Sequence, residues 1–163
     1  MKTLVLFVAV CATAATAAAQ TKISGTEICP KPAEMHMLAV GDNPNHSLMI
    51  FKSKCRWTKP LEIEGIQAQT EEATGYSDLT GNRFREQGYV VNSLANGDKA
   101  YATWQGTGIA KDGIPQNHSG KWRYTGGTGK FKGITGSGTY KGKAGADGGW
   151  TTEVEGDYAL PKK

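Results

Sequence analysis

The chain lacks the patterns that mark several large classes of protein. Its longest apolar run, Leu4–Ala12, is shorter than the ~20 residues that a membrane-spanning helix needs. It contains no C-x-x-C or H-x-x-x-H pair, which argues against a zinc site. It also has no G-x-S-x-G nucleophile elbow and no phosphate loop ending in G-K-[ST]. No catalytic signature is present, and no cofactor is predicted.

Helical patterning and a strong charge are also missing. No long segment places apolar residues at the 3.6-residue spacing of a helix. The formal net charge is only +4, whereas nucleic-acid-binding proteins usually carry a basic stripe or cluster. We therefore predict no nucleic-acid partner. The lysines that do group together are Lys130, Lys132, Lys141 and Lys143.

Residues 1–19 have the form of a cleaved secretory signal peptide. Lys2 supplies the positive start, and the apolar run is followed by a small-residue cleavage site, Ala17-Ala18-Ala19, before Gln20. We predict cleavage after Ala19 and export to the periplasm or the medium, with no membrane attachment afterwards. Loss of Lys2 lowers the formal charge of +4 to +3.

Cysteine is scarce, and its placement matters. The chain has three cysteines, of which Cys11 would leave with the signal peptide. Cys29 and Cys55 remain in an oxidising compartment, where one disulfide is the expected outcome. Two unpaired buried thiols are the alternative, because spacing alone does not bring the Cα atoms within reach.

Glycine, by contrast, is abundant, at 22 of 163 residues or about twice its average use. Between turn-forming residues the chain alternates apolar with charged residues, as in Leu48–Thr58. Asn96-Gly97 is a strong hairpin turn between two such strands. Consecutive antiparallel strands that bury one face can close into an up-and-down barrel. We predict an all-β fold with an eight-stranded antiparallel barrel.

The predicted barrel occupies residues 46–163. Residues 20–45 contain three prolines and are predicted to form an irregular N-terminal arm with one short strand at Met35–Val40. The interior of an eight-stranded barrel is just wide enough for side chains or one small ligand.

The most distinctive segment is Gly126–Tyr140, which begins GGTGKFKGITGSG. It resembles the G-G-T-G-x-F segment of the allene oxide cyclase and dirigent barrels. The resemblance implies a calycin-like barrel of eight antiparallel strands, and barrels of this kind often assemble into homo-oligomers. The chain is also similar to uncharacterised exported bacterial proteins with a C-x-W-x-x-P-x-x-I-x-G-like strand. The counterparts here are Cys55, Trp57, Pro60, Ile63 and Gly65.

The physical role of this segment is structural. Gly126, Gly127 and Gly129 permit a sharp turn with positive φ, and Phe131 can plug the end of the barrel. The plant cyclases use a carboxylate and an ordered water to steer an epoxide, and dirigent proteins guide radical or quinone-methide coupling. No active residue of either family matches a position in this chain, so none is transferred.

Aromatic residues supply the candidate ligand site. On alternating strands they either line an apolar cavity for a small molecule or fill the barrel, and we favour filling because small barrels are commonly packed solid. The candidates are Phe51, Trp57, Trp104, Trp122 and Tyr124.

Catalytic candidates are fewer. Glu62 and Glu64 are two residues apart, so they share a face if they lie on a strand. At a barrel mouth, burial would raise the pKa of one of them and suit it to acid–base chemistry. Solvent exposure of both is the alternative.

A copper site is a weaker hypothesis. Thioether and imidazole groups suit copper, and exported proteins meet this metal. The alternative is that the methionines simply fill gaps in an apolar arm. The ligands would come from Met35, His36, Met37, His46 and Met49.

Three functions therefore stay open. The first is binding of a small hydrophobic molecule inside the barrel, without catalysis. The second is an isomerase or cyclase of the allene oxide cyclase type. The third is a structural or interaction module that forms homo-oligomers. The interior separates them, because a solid barrel excludes the first two and a buried carboxylate in a roomy cavity favours the isomerase.

Overall fold

The structure, a computed structural model, describes residues 20–112 and 114–162. The predicted signal peptide, residues 1–19, lies outside the described residues. Within them, no helix is long and apolar enough to cross a membrane. The regular elements described are ten strands and one 3₁₀ turn, Gly129–Phe131. The strands are β1 Thr21–Cys29, β2 Glu34–Ala39, β3 His46–Lys59, β4 Glu62–Ile63, β5 Ile66–Thr80, β6 Arg83–Leu94, β7 Lys99–Lys111, β8 Ile114–Gly127, β9 Thr135–Ala144 and β10 Trp150–Ala159.

Eight of the ten strands form a closed antiparallel barrel in the order β1, β3, β5, β6, β7, β8, β9, β10. The ring closes where β10 pairs with β1 and where β1 pairs with the end of β3. At the second of these seams Glu27 lies opposite Trp57. The predicted all-β, eight-stranded antiparallel barrel is confirmed.

The two remaining strands extend the ring. β2 pairs with the first half of β3 and places Met37 opposite Met49. β4 pairs with the start of β5 across a turn at Glu64 and Gly65, whose φ angles of 53° and 75° are both positive.

The structure corrects the irregular arm predicted for residues 20–45. β1 is a full barrel strand, and β2 is the short strand expected near residues 35–40. Pairing with β10 and β3, rather than a local pattern, makes the first segment a strand. Its inward positions carry no run of large apolar residues that would have marked it in the sequence. These positions are Ile23, Gly25, Glu27 and Cys29.

One end of the barrel is closed by side chains from the connecting segments. Phe131, Ile63 and Ile134 are buried there, with exposed fractions of 0%, 1% and 2%. The 3₁₀ turn that carries Phe131 starts at Gly129, whose φ of 49° suits glycine. The predicted role of Phe131 as a plug is confirmed.

Cys29 and Cys55 form a disulfide, with their Cα atoms 4.1 Å apart. The predicted bridge is therefore confirmed. It joins the end of β1 to β3 across 26 residues, and the loop-entropy model gives a stabilisation of about 3 kcal/mol for such a loop. A disulfide fits an oxidising, exported environment.

The inward tryptophan rings pack over glycines of neighbouring strands. A Cβ atom added to Gly75 or Gly88 would lie 2.7 Å or 2.9 Å from Cζ2 of Trp104. One added to Gly156 would lie 2.6 Å from Cζ2 of Trp122. Each ring therefore extends sideways across the wall of the barrel, because the neighbouring strand has no side chain there. Space is left along the barrel axis.

Candidate functional site

The barrel interior holds a cavity of about 150 Å³. The inward residues of β3 show where it opens, since Cys55 and Trp57 are buried whereas Phe51 and Met49 are half-buried. Solvent thus reaches the interior from the end opposite Phe131, beside the turn between β5 and β6.

All five residues predicted to contact a ligand line this cavity. Trp122 and Tyr124 meet edge to face, with ring centroids 4.9 Å apart, and the centroids of Phe51 and Trp104 are 6.2 Å apart. The favoured prediction, that these rings fill the barrel, is wrong, because the rings lie over glycines and leave the cavity between them. Aromatic walls of this kind are typical of small-molecule sites. The five residues are Phe51, Trp57, Trp104, Trp122 and Tyr124.

Two glutamates project into this apolar space, Glu27 from β1 and Glu71 from β5, with exposed fractions of 5% and 8%. Asn92 Nδ2 donates to Glu71 Oε2 at 3.1 Å, and the Trp57 indole N–H donates to Asn92 Oδ1 at 2.8 Å. The second bond orients the amide, so its NH₂ group faces Glu71. Within the described part of the chain, Glu27 Oε2 is buried without a hydrogen-bond partner.

Burial moves both carboxyl groups towards the protonated form. Desolvation raises the pKa of Glu71 to about 7, although the hydrogen bond from Asn92 opposes the shift. Desolvation also raises the pKa of Glu27 well above its ordinary value, and the nearby charge of Glu71 raises it further. Both groups therefore hold a proton more readily than an exposed glutamate, and Glu71 ionises near neutral pH. Two carboxyl groups with raised pKa values in one cavity are typical of functional sites.

A second polar group lies nearer the open end. Glu86 is buried, and its Oε1 accepts a hydrogen bond from Tyr140 O–H at 2.9 Å. His118 Nδ1 is 2.9 Å from the same oxygen, and because a carboxylate oxygen accepts, the Nδ1–H group is the donor. The imidazole also stacks on Trp150, with ring centroids 4.2 Å apart. A carboxylate that orients an imidazole in this way is the usual arrangement of a general base.

One row of paired residues joins the two groups. His118 on β8 lies opposite Gly142, Gly142 opposite Thr152, and Thr152 opposite Glu27. Because Gly142 has no side chain, the His118 ring crosses it and brings Nε2 to 3.5 Å from Thr152 Oγ1. A ligand in the cavity therefore meets the imidazole and the Glu27 carboxyl group along the same wall.

The predicted catalytic candidates lie elsewhere. Glu62 and Glu64 are both exposed, and neither lines the cavity. They flank Ile63 at the closed end, where the Glu64 backbone N–H donates to the Tyr158 hydroxyl at 3.0 Å. Neither residue enters a barrel mouth, because the positive φ of Glu64 turns the chain outward into the β4–β5 hairpin.

The acids that do enter the cavity were missed, although one signal was available. Glu71 and Glu86 occupy strand positions whose neighbours two residues away are alanine or glycine (Ala73 and Gly88). A charge on a face that otherwise carries small or apolar residues indicates a functional position, because charged groups are rarely buried without a reason. Glu27 carried no such signal, since the strand itself was not predicted.

The proposed copper ligands are divided between two faces of the sheet. Met35, Met37 and Met49 lie on the inward face of β2 and β3, whereas His36 pairs with Ile50 on the outward face. The ring nitrogens of His46 contact carboxylate oxygens of Asp42 and Asp78 at 2.7 Å and 3.0 Å. A copper ion needs convergent ligands, and these five residues do not converge on one point.

Comparison with protein-family models and with curated protein sequences gives no match. Solved structures do match. The chain is similar to the pterocarpan synthase dirigent protein GePTS1, with a TM-score of 0.54 and 13% identity over 99% of this chain and 100% of that one. It is also similar to the pterocarpan synthase dirigent protein PsPTS1, with a TM-score of 0.50 and 13% identity over 89% and 97% of the two chains. At this identity the likeness establishes the fold, so this chain has a dirigent-like eight-stranded barrel.

Proposed function

We propose that this chain is an exported protein that binds one small, largely apolar molecule inside its barrel. The observation that carries the proposal is the open aromatic cavity with a buried Glu27 oxygen that has no hydrogen-bond partner among the described residues. An unsatisfied buried polar atom costs about 1–3 kcal/mol. A ligand that donates a hydrogen bond to Glu27 removes that cost, while its apolar part covers the tryptophan walls.

The volume of the cavity limits the ligand. Protein cavities of about 150 Å³ hold one benzene-sized molecule. We therefore expect a ligand with a single ring or a short apolar chain inside the barrel, and a larger molecule would extend through the open end.

Two observations support export. Residues 1–19 have the pattern of a signal peptide, and the Cys29–Cys55 disulfide needs an oxidising compartment to persist.

The two similar structures are pterocarpan synthase dirigent proteins, which indicates that barrels of this fold can act on small organic molecules.

Filling the cavity tests the proposal. Ala102 is buried and lines the cavity, so the Ala102→Leu side chain would occupy space that a ligand needs. We expect Ala102→Leu to weaken binding of benzyl alcohol, a neutral single-ring probe, by at least about tenfold, which corresponds to ~1.4 kcal/mol. Isothermal titration calorimetry measures this directly.

The matched control is Gln105→Leu, which adds apolar bulk to an exposed position of the same strand. It should leave the affinity for benzyl alcohol unchanged. Equal affinities of the Ala102→Leu variant and the unsubstituted chain, both shown to be folded by circular dichroism, would contradict binding inside the barrel.

A second candidate function is isomerisation by proton transfer, which the Glu86–His118 pair and the buried Glu27 carboxyl group, with its raised pKa, favour. With a β,γ-unsaturated ketone, His118 Nε2 would accept a proton from the carbon between the carbonyl group and the C=C bond, and Glu27 would donate one to the carbonyl oxygen, which gives the dienol. Return of the first proton from His118 to the γ-carbon and of the hydroxyl proton to Glu27 gives the α,β-unsaturated isomer without any further reactant.

Hydrogen exchange tests this second candidate. In D₂O, the protein should speed the exchange of the α-hydrogens of cyclohexanone followed by proton NMR, and His118→Asn should abolish the acceleration because asparagine has no basic nitrogen. An exchange rate that is the same with and without the protein would count against isomerisation, while leaving ligand binding intact.

A further inference from the structure

We propose that the cavity selects a protonated amine, an organic ammonium ion attached to a single apolar ring or chain, with Glu71 as its counter-ion and Glu27 as a further hydrogen-bond acceptor. The inference rests on the proposed binding function and names the chemical class of the ligand.

The first argument is the sign of the charges around the cavity. Apart from the tyrosines Tyr124 and Tyr140, its ionisable lining consists of Glu27, Glu71 and Glu86 together with His118. Among the described residues that line it, none is lysine or arginine. A carboxylate or phosphate ligand would meet these acids in an apolar setting with no lysine or arginine in the described lining to compensate its charge. The walls therefore disfavour an anion and favour a cation.

The second argument is the missing hydrogen-bond donor. Asn92 satisfies Glu71, but Glu27 Oε2 has no partner within the described residues, although its side chain is more than nine-tenths buried. The sulfur atoms of Cys29 and Cys55 are within 4.8 Å of the Glu27 carboxylate, yet a disulfide has no hydrogen to donate. An ammonium group carries three N–H donors and no acceptor, which suits a site made of carboxylate oxygens.

The third argument is the aromatic surface next to these acids. The Trp57 indole is tied to Glu71 through Asn92, so ring and carboxylate belong to one hydrogen-bond network. Trp122 and Tyr124 line the same space. Aromatic faces attract ammonium groups, and they do so more strongly where water is excluded. An amine would thus be held by carboxylates and by ring faces together, whereas a neutral alcohol would use only the former.

Three probes of nearly equal shape test the inference on the full chain. Benzylamine is a cation near neutral pH, benzyl alcohol is neutral and benzoate is an anion. We expect titration calorimetry to show benzylamine binding at least about tenfold more tightly than benzyl alcohol, because charge-assisted hydrogen bonds are roughly twice as strong as neutral ones. Benzoate should bind most weakly.

Matched variants locate the effect. Glu71→Gln removes the charge while keeping an oxygen that can accept from Asn92, and it should reduce the affinity for benzylamine to that for benzyl alcohol. Glu72→Gln, at the next and half-exposed position of β5, should leave both affinities unchanged. Glu27→Gln provides a second test if Glu71→Gln does not fold.

The outcomes are distinct. Benzyl alcohol or benzoate binding as tightly as benzylamine would overturn the amine proposal and leave the binding function standing. Failure of all three probes to bind would overturn the binding function and, with it, this inference. The comparison of the probes on the unsubstituted chain decides between these outcomes even if both variants fail to fold.

Discussion

At about pH 8 we expect the free energy of unfolding of the Glu71→Gln variant to exceed that of the unsubstituted chain by about 3 kcal/mol. This difference follows from the pKa of Glu71, which burial raises from 4.5 to about 7, at 1.36 kcal/mol per pKa unit. The gain arises because the unsubstituted chain must hold a charge in an apolar cavity at this pH. Glutamine has nearly the same shape and still accepts a hydrogen bond from Asn92, so the substitution removes the charge and little else.

The direction of the pH dependence follows from proton binding. The pKa of Glu71 is about 7 in the folded chain and close to its ordinary value of 4.5 in the unfolded chain, so the folded chain binds more protons between these two values. Stability therefore falls as the pH rises through this window. Glu27, with its raised pKa, acts in the same direction. The groups that face Glu71 are Glu27 from β1, Cys55 and Trp57 from β3, Asn92 from β6 and Tyr124 from β8.

Urea unfolding at several pH values, followed by tryptophan fluorescence, measures this difference. The advantage of Glu71→Gln should vanish near pH 4.5, where both chains are neutral at this position. Glu72→Gln is the control, because its side chain is about half exposed and exposed charges change stability by about 0.5 kcal/mol or less. A Glu71→Gln variant that is less stable than the unsubstituted chain at pH 8 would refute the assignment of Glu71 as a destabilising buried acid.

Phe131→Ala is expected to lower the free energy of unfolding by about 3–5 kcal/mol, the usual cost of removing a buried phenylalanine side chain. Phe131 has no exposed surface and fills the closed end together with Ile63 and Ile134. Its removal leaves a void that the surrounding strands cannot collapse into, because paired neighbours hold each of them in the ring.

Denaturant unfolding measures this loss, with Lys130→Ala as the control. Lys130 is the preceding residue of the same 3₁₀ turn and its side chain is exposed, so its removal should change stability by about 0.5 kcal/mol or less. A loss below about 1 kcal/mol for Phe131→Ala would mean that the closed end is not part of the cooperative core.

The features that could be predicted from the sequence are those determined by neighbouring residues. β3 alternates strictly, so its buried and exposed faces follow from the order of its residues. The Asn96-Gly97 turn and the glycines before Phe131 satisfy local backbone demands. These features were sufficient to predict the barrel. The two cysteines that remain once Cys11 is removed with the signal peptide were sufficient to predict the disulfide.

The candidate site could not be predicted in the same way, because its residues come from all eight barrel strands and only the closed ring brings them together. β1 was missed since Gly25 and Glu27 replace the large apolar residues that usually mark an inward face. His118 lies in a turn-rich stretch of sequence, and only its register with Gly142 and Thr152 turns it towards the interior. The spacing of Glu62 and Glu64 predicts that they share a face if they lie on a strand. It does not predict on which side of the barrel that face lies.

The glycines that contact the tryptophan rings affect the volume of the cavity, whereas the side chains that line it determine which groups a ligand meets. Gly75, Gly88 and Gly156 touch the backs of the rings and not the space in front of them. A methyl group added at any of these positions would also meet a backbone oxygen of the paired strand, at 2.7 Å for Gly75 and at 2.4 Å for Gly88 and Gly156. Even alanine there would displace strand and ring together, so the size of the cavity depends on residues outside its lining.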